Sequence, residues 1–369
     1  MAKRLSLLMG ISIFMVVLGH AAGWGQVAMF DWAHRYRPVT SPNFDMIGTP
    51  AYYFLAFLRQ SSSFAVAVFL FVGGFFSAFS ARSANKAVVW KSVRARIVTL
   101  LIPYTIWSVL IFIYRFLLGE RLAFWEYPWQ FLTIGAAGPY YYVPLLCYLS
   151  LLAPLLVPLA KNRPRLLLWL SFLAQFILMG FRYIKLFQAG TPLAELLSTI
   201  APAWLFLQWI LYFTLGLVTA FHLEDWKAWA TRHRTLLLVM IPISLVAAVL
   251  EVDWILRVTH INIFSVPLLV TTLVYTLAVL LAFTNFAEVP PRTARLLNDL
   301  GSRSYGIYLL HYTIMEITAK VIYRFHPPLL ANPWLLVPIL FVLGLGIPIL
   351  FMEIFRRTPL RKVQRYLFG

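Results

Sequence analysis

The feature that most constrains this chain is a succession of apolar blocks, most of them near twenty residues, that follow one another along its whole length. Crossing about 30 Å of hydrocarbon takes about 20 mainly apolar residues in a helix, because a helix satisfies its own backbone polar groups where water is absent. About ten such blocks can be marked, at approximately 5–24, 62–81, 97–118, 138–159, 165–182, 200–221, 236–250, 262–283, 303–322 and 333–354. The reading is an all-α integral membrane protein, a polytopic bundle of about ten transmembrane helices forming one domain over residues 1–369. Composition agrees, with 61% hydrophobic and 12% charged residues, against about 45–50% and about 25% in soluble domains.

Charge then orients the chain. The net charge of +18 does not point to nucleic acid, since the basic residues lie in short segments between apolar blocks and no soluble basic domain exists to hold a duplex. With the N-terminus in the cytosol and sides alternating, the cytosolic segments gather roughly two thirds of the 31 basic residues, the bias expected for N-in, C-in topology. The densest is 82–96, with Arg82, Lys86, Lys91, Arg94 and Arg96. It is either a topology anchor or a docking site for a phosphorylated donor, whose oxygens match arginine forks. Met1-Ala2-Lys3-Arg4 and the apolar stretch after it resemble a signal peptide. However, Leu5–Trp24 is long enough to span and ends in no clean cleavage site, so a retained first helix is expected. The longest connection, the outer loop at about 25–61, carries Asp31, Trp32, His34, Arg35, Arg37, Asp45, Tyr52 and Tyr53, and reads as a lid or as a solvated connector.

Chemistry narrows to few residues. Of seven histidines only His20 and His311 fall within blocks, and ionisable groups at membrane depth are functional candidates by default. Neutral imidazole suits general-base work near neutral pH. Met9 precedes His20 by eleven residues, so it projects about 20° away and about 16 Å along the helix, giving one face that lines a path to His20. Ser304, Tyr308 and His311 follow i, i+4, i+7 spacing and share a stripe. Glu316 lies off that stripe and is expected to bond Tyr312, Tyr305 or another helix. Cys147, the sole cysteine, sits in an apolar block and reads as a packing residue, leaving no disulfide framework or thiolate metal site. No phosphate-loop, dinucleotide-binding, zinc-peptidase or serine-hydrolase motif is present.

Three segments resemble the membrane-bound acyltransferase-3 family. They are Gly10-Ile11 through Val16-Val17-Leu18-Gly19-His20; Arg96-Ile97 through Leu101-Ile102-Pro103-Tyr104 to Trp107; and Gly301-Ser302-Arg303-Ser304-Tyr305-Gly306-Ile307-Tyr308-Leu309-Leu310-His311. Their order and spacing extend the resemblance over nearly the whole chain. It implies a cytosolic acyl-CoA donor, often acetyl-CoA, with no permanently bound cofactor and no metal. It also implies a saccharide or lipid-linked acceptor offering a hydroxyl, less often an amine, at the outer face of a bacterial inner membrane. On this analogy His20 is the base, Tyr308 and His311 orient or stabilise the acyl carbonyl, and Arg82, Lys91, Arg94, Arg96 and Arg303 hold the donor. Asp31 or Asp45 would orient His20. The chain departs from the family pattern at Met9, where Arg or Lys is usual, at Thr99, where a second basic residue is typical, and at Val72-Gly73-Gly74-Phe75, where Ser-Gly-Phe or Ser-Gly-Tyr is commoner. Arg94 is the residue expected to compensate for Thr99. Two other classes stay open at this point: an accessory binding member of the family, and a transporter or flippase using His20, His311 and Glu316.

Overall fold

A computed structural model describes residues 2–32, 43–80, 86–261, 269–283 and 289–369. Among these there is no strand, and a helix lies within every one of the ten apolar blocks. The helices are α1 (Ala2–Val27), α2 (Pro50–Ser61), α3 (Phe64–Ser80), α4 (Lys86–Leu117), α5 (Glu126–Leu132), α6 (Tyr142–Asn162), α7 (Pro164–Phe187) and α8 (Pro192–Ile200). They continue as α9 (Ile210–Phe221), α10 (Leu223–Arg232), α11 (Arg234–Thr259), α12 (Val270–Ala282), α13 (Pro291–Ser302), α14 (Ser304–Phe325), α15 (Pro333–Arg357) and α16 (Gln364–Phe368).

Seven helical stretches among the described residues are long and apolar enough to cross a membrane, or eight if α9 and α10, bent by 107°, form one span. Internal prolines at 103, 154, 158, 242, 338 and 348 interrupt α4, α6, α11 and α15 without ending them, as membrane helices tolerate. Large apolar side chains face outward along these helices, among them Leu110 and Ile113 on α4, Trp169 and Leu173 on α7, and Val342 and Leu350 on α15. Such a belt suits lipid and would be an aggregation hazard in water. The chain is therefore a polytopic, all-α membrane protein.

Within the connection expected over about 25–61, the described residues 25–32 and 50–61 are helical instead. A π-helical turn, Ala28–Trp32, prolongs α1, and α2 occupies Pro50–Ser61. The start of α2 is well specified: Thr49 caps it by accepting from the Tyr52 N–H at 3.3 Å, and Pro50 fills the first position, where no donor is needed. His34, Arg35 and Arg37 lie outside the described residues.

α1 runs through the centre of the bundle, against α2, α3, α13, α14 and α15. Its closest approach is to α13, where a Cβ on Gly10 would meet the Leu297 carbonyl oxygen at 1.9 Å and one on Gly301 would meet that of Ser6 at 2.3 Å. α3 and α9 interlock in the same way through Gly74 and Gly216. Small residues that let helix backbones touch are a main source of packing energy where lipid removes the hydrophobic drive.

Candidate active site

His20 sits on α1 between Gly19 and Gly23, half-buried, and lines a cavity of about 360 Å³. The opposite walls come from α2, α3 and α14 and from the single turn Gly138–Tyr141 that precedes α6. Two phenols pin that turn to α14: Tyr308 donates to the Pro139 carbonyl and Tyr140 to that of Leu309, both at 2.5 Å. The turn thereby presents Tyr141 and Tyr142 to the cavity, opposite His20 and beside Tyr312.

The structure brings together the two histidines singled out from sequence. The His20 and His311 rings lie 5.3 Å apart between centroids, and Tyr312 stands edge-on to His20 at 5.4 Å. His311 is fully buried behind the cavity. Its Nδ1 lies 2.8 Å from the Tyr308 carbonyl oxygen and 3.1 Å from that of Ile307. Carbonyls only accept, so Nδ1 carries the proton, and in the neutral ring Nε2 is left as a lone-pair acceptor. That nitrogen has no hydrogen-bond partner. With its own proton on Pro139, Tyr308 cannot also donate to a substrate carbonyl in this arrangement. Both residues expected to supply such a donor thus have their protons committed elsewhere.

Arg59, on α2, went unnoticed in the sequence. Its Nη1 donates to the Gly19 carbonyl at 2.8 Å, and the guanidinium lies across the α1 backbone beside His20. A Cβ on Gly23 would come within 3.3 Å of that Nη1. The glycines on either side of His20 therefore make the seat for this arginine. The signal was present, since Thr49-Pro50 marks a helix start and places Arg59 inside a helix.

A second cavity, of about 200 Å³, is lined by Met9, Gly73, Arg96, Ser304 and Tyr305. Phe69, Tyr142 and Tyr308 line both cavities, forming a shared wall. Met9 and His20 thus face neighbouring cavities along one side of α1. Arg96 reaches inward, donating from Nη1 to the Gly73 carbonyl at 2.9 Å and to Ser77 Oγ at 2.5 Å.

A family model described as an acyltransferase domain matches residues 3–353. The chain belongs to the acyltransferase-3 family. No curated protein and no solved structure matches it significantly.

The departures from the acyltransferase-3 pattern now have locations. A Cβ at Gly73 would stand 3.1 Å from Arg96 Nη2 and 2.9 Å from Leu146, so glycine leaves room for the guanidinium. Ser77, one turn on, offers Arg96 the hydroxyl instead. Thr99 is exposed and bonds the Ala95 carbonyl, pointing away from the cavity. Arg94 and Lys91 are exposed as well. Two residues on a helix diverge by about 160°, so Arg94 does not join Arg96 in the cavity.

Other expected residues of this acyltransferase-3 chain are engaged elsewhere. Arg303 bonds Asp299 at 3.1 Å and approaches Glu353 at 3.8 Å, tying α13 to α15, and lines neither cavity. Glu316 pairs with Lys320 at 2.7 Å within α14, while Tyr305 donates to the Leu100 carbonyl. Asp31 is eleven residues beyond His20 on one continuous helical run, about 16 Å away, and Asp45 is exposed. Neither lines the cavity, so neither orients His20. Arg82 lies outside the described residues. Cys147 is buried in the core. Folded protein should accordingly leave it unlabelled by maleimide over a time in which detergent-unfolded protein reacts fully.

Proposed function

We propose that the chain transfers an acyl group, most simply acetyl, from acyl-CoA to a hydroxyl of a saccharide or lipid-linked envelope acceptor. The observation that carries this reading is the shared wall of Phe69, Tyr142 and Tyr308, which sets an arginine-containing cavity beside one holding an imidazole. In this reading the acyl arm of a cytosolic donor enters past Arg96, and the acceptor approaches His20 from the opposite membrane face. The topology is ten spans, N-in and C-in, in a bacterial inner membrane. Broken or polar helices such as α9, α12 and α14 count among the ten because they lie inside the bundle. His20 takes the proton of the acceptor hydroxyl as its oxygen attacks the thioester carbon. The carbon–sulfur bond breaks, and the departing CoA thiolate takes up that proton. An acyl-enzyme is not needed, and buried Cys147 has no evident base beside it.

The test is transfer of label from radiolabelled acetyl-CoA, in membranes containing the chain, to the host's glycan and lipid extract. Purified protein should also bind the donor. A hydrogen bond to a charged group contributes about 1.5–3 kcal/mol, so Arg96→Gln should weaken donor binding by about tenfold or more. Arg94→Gln, at an exposed position outside both cavities, should leave it near the wild-type value. Equal loss from both variants would place the donor on the surface instead. Acceptor flux without acyl transfer would replace this reading with transport.

A further inference from the structure

Attack on a thioester needs something to hold the carbonyl oxygen as negative charge builds there, as well as a base. At the His20 cavity the hydrogen bonds account for several of the neutral donors. The Tyr308 proton goes to Pro139, and the His311 Nδ1 proton to the Ile307 and Tyr308 carbonyls. The hydroxyls of Ser62 and Ser63 go to the Arg59 and Gln60 carbonyls. Other phenols and the Trp24 indole also line the space, but each offers a single neutral donor. Arg59 is the only lysine or arginine among the described residues that line it. Its guanidinium carries a permanent charge and five N–H groups in a fixed plane, and its Nη1 is anchored on the Gly19 carbonyl.

The seat is also built. Gly19 and Gly23 flank His20 on α1, and a Cβ at Gly23 would crowd Nη1 at 3.3 Å. A half-buried cation is held on the backbone carbonyl of the residue next to His20, by glycines that leave room for it. A donor that carries its own positive charge adds Coulombic attraction to the hydrogen bond it gives an oxyanion, most of all where water is excluded.

We infer that Arg59 is a catalytic residue that donates to the thioester carbonyl oxygen during attack. This rests on the acyl-transfer reading above. The acceptor oxygen bonds to the carbonyl carbon, its proton passes to His20, and the carbonyl oxygen becomes an oxyanion facing the guanidinium. Collapse restores the carbonyl, breaks the carbon–sulfur bond and returns the His20 proton to the thiolate of CoA.

The experiment is steady-state transfer from acetyl-CoA by wild type, His20→Ala, Arg59→Gln, Arg59→Lys and Arg59→Ala. Bound labelled acetyl-CoA per protein reports that each variant is folded. Arg59→Gln should lower kcat by about 100- to 1000-fold, the range for removing an oxyanion donor. KM for donor and acceptor should stay within about threefold, since uniform binding is untouched. Arg59→Lys should fall between, keeping charge without the fork. Added guanidinium chloride should restore part of the rate to Arg59→Ala, which a purely structural arginine would not allow. Wild-type kcat in Arg59→Gln, with His20→Ala inactive, would overturn this assignment and leave the transfer reading standing. A loss confined to acceptor KM would likewise overturn it and make Arg59 an anchor for the acceptor. No transfer by wild type would overturn the transfer reading and this assignment with it.

Discussion

Replacing His20 by alanine is expected to cut acyl transfer by about 100- to 10,000-fold, the usual contribution of a positioned general base. The fold should survive the change. The ring is half-buried and faces a cavity, so truncation enlarges existing space instead of opening a void in close-packed core. Flanking Gly19 and Gly23 keep their contacts with Ser62 and Arg59. Donor binding should also persist, since the Arg96 cavity shares no atoms with His20. Label transferred from acetyl-CoA at equal protein level is the measurement. Unchanged transfer would remove His20 from the mechanism and leave its neighbours, including Tyr312, to be tested.

The second large effect is structural. Gly74→Val or Gly216→Val should prevent recovery of folded protein, read as loss of the monodisperse peak in detergent gel filtration. A Cβ at Gly74 would lie 2.0 Å from the Phe213 carbonyl oxygen, and one at Gly216 would lie 2.0 Å from that of Phe71. Both obstacles are backbone, so no rotamer change relieves them. The helices must separate, which costs at least the 1–3 kcal/mol, roughly, of an overpacked core. It also strips the small-residue contact that joins them. Gly180 on α7 and Gly346 on α15 are the controls, with nothing within 4 Å of an added Cβ. Alanine there should be neutral or stabilise by about 0.5–1 kcal/mol, the helix-propensity gain over glycine. If Gly216→Val behaves like Gly180→Ala, the α3–α9 interface is not close-packed.

Much of this was legible because hydrophobic length is a one-dimensional property. All ten apolar blocks hold a helix; the Ser304, Tyr308, His311 stripe was expected to face one interior, and the structure has the first two lining one cavity while His311 is buried outside both. Singling out His20 and His311 needed only the rule that ionisable groups at membrane depth are functional candidates; that their rings meet was seen only in the structure. Failures arose where side-chain direction mattered more than composition. Arg94 and Arg96 read as one basic cluster, yet two residues of helix separate outside from inside. Arg303 also has a local partner that the sequence offered, since Asp299 stands four residues before it. Glu316 and Lys320 repeat that spacing. Arg59 was missed because α2 has only twelve residues, too few to span alone, and ends in Arg59-Gln60-Ser61, so it read as loop. What no spacing rule reveals is that Tyr308 uses its proton on a turn 169 residues earlier.

The glycine contact between α1 and α13 has a bearing on synthesis. Gly10 and Gly301 are separated by 291 positions (301 − 10). At about 5–20 residues per second the ribosome needs about 15–60 s to make the second half of that interface after the first. Through that interval the first helix is in the membrane with His20 and without its closest partner. The helices that emerge sooner, α2 and α3, must shelter it, or an insertase must hold it. Misassembly at this stage, more than instability of the finished protein, is where substitutions along the α1 face would do their damage in a cell.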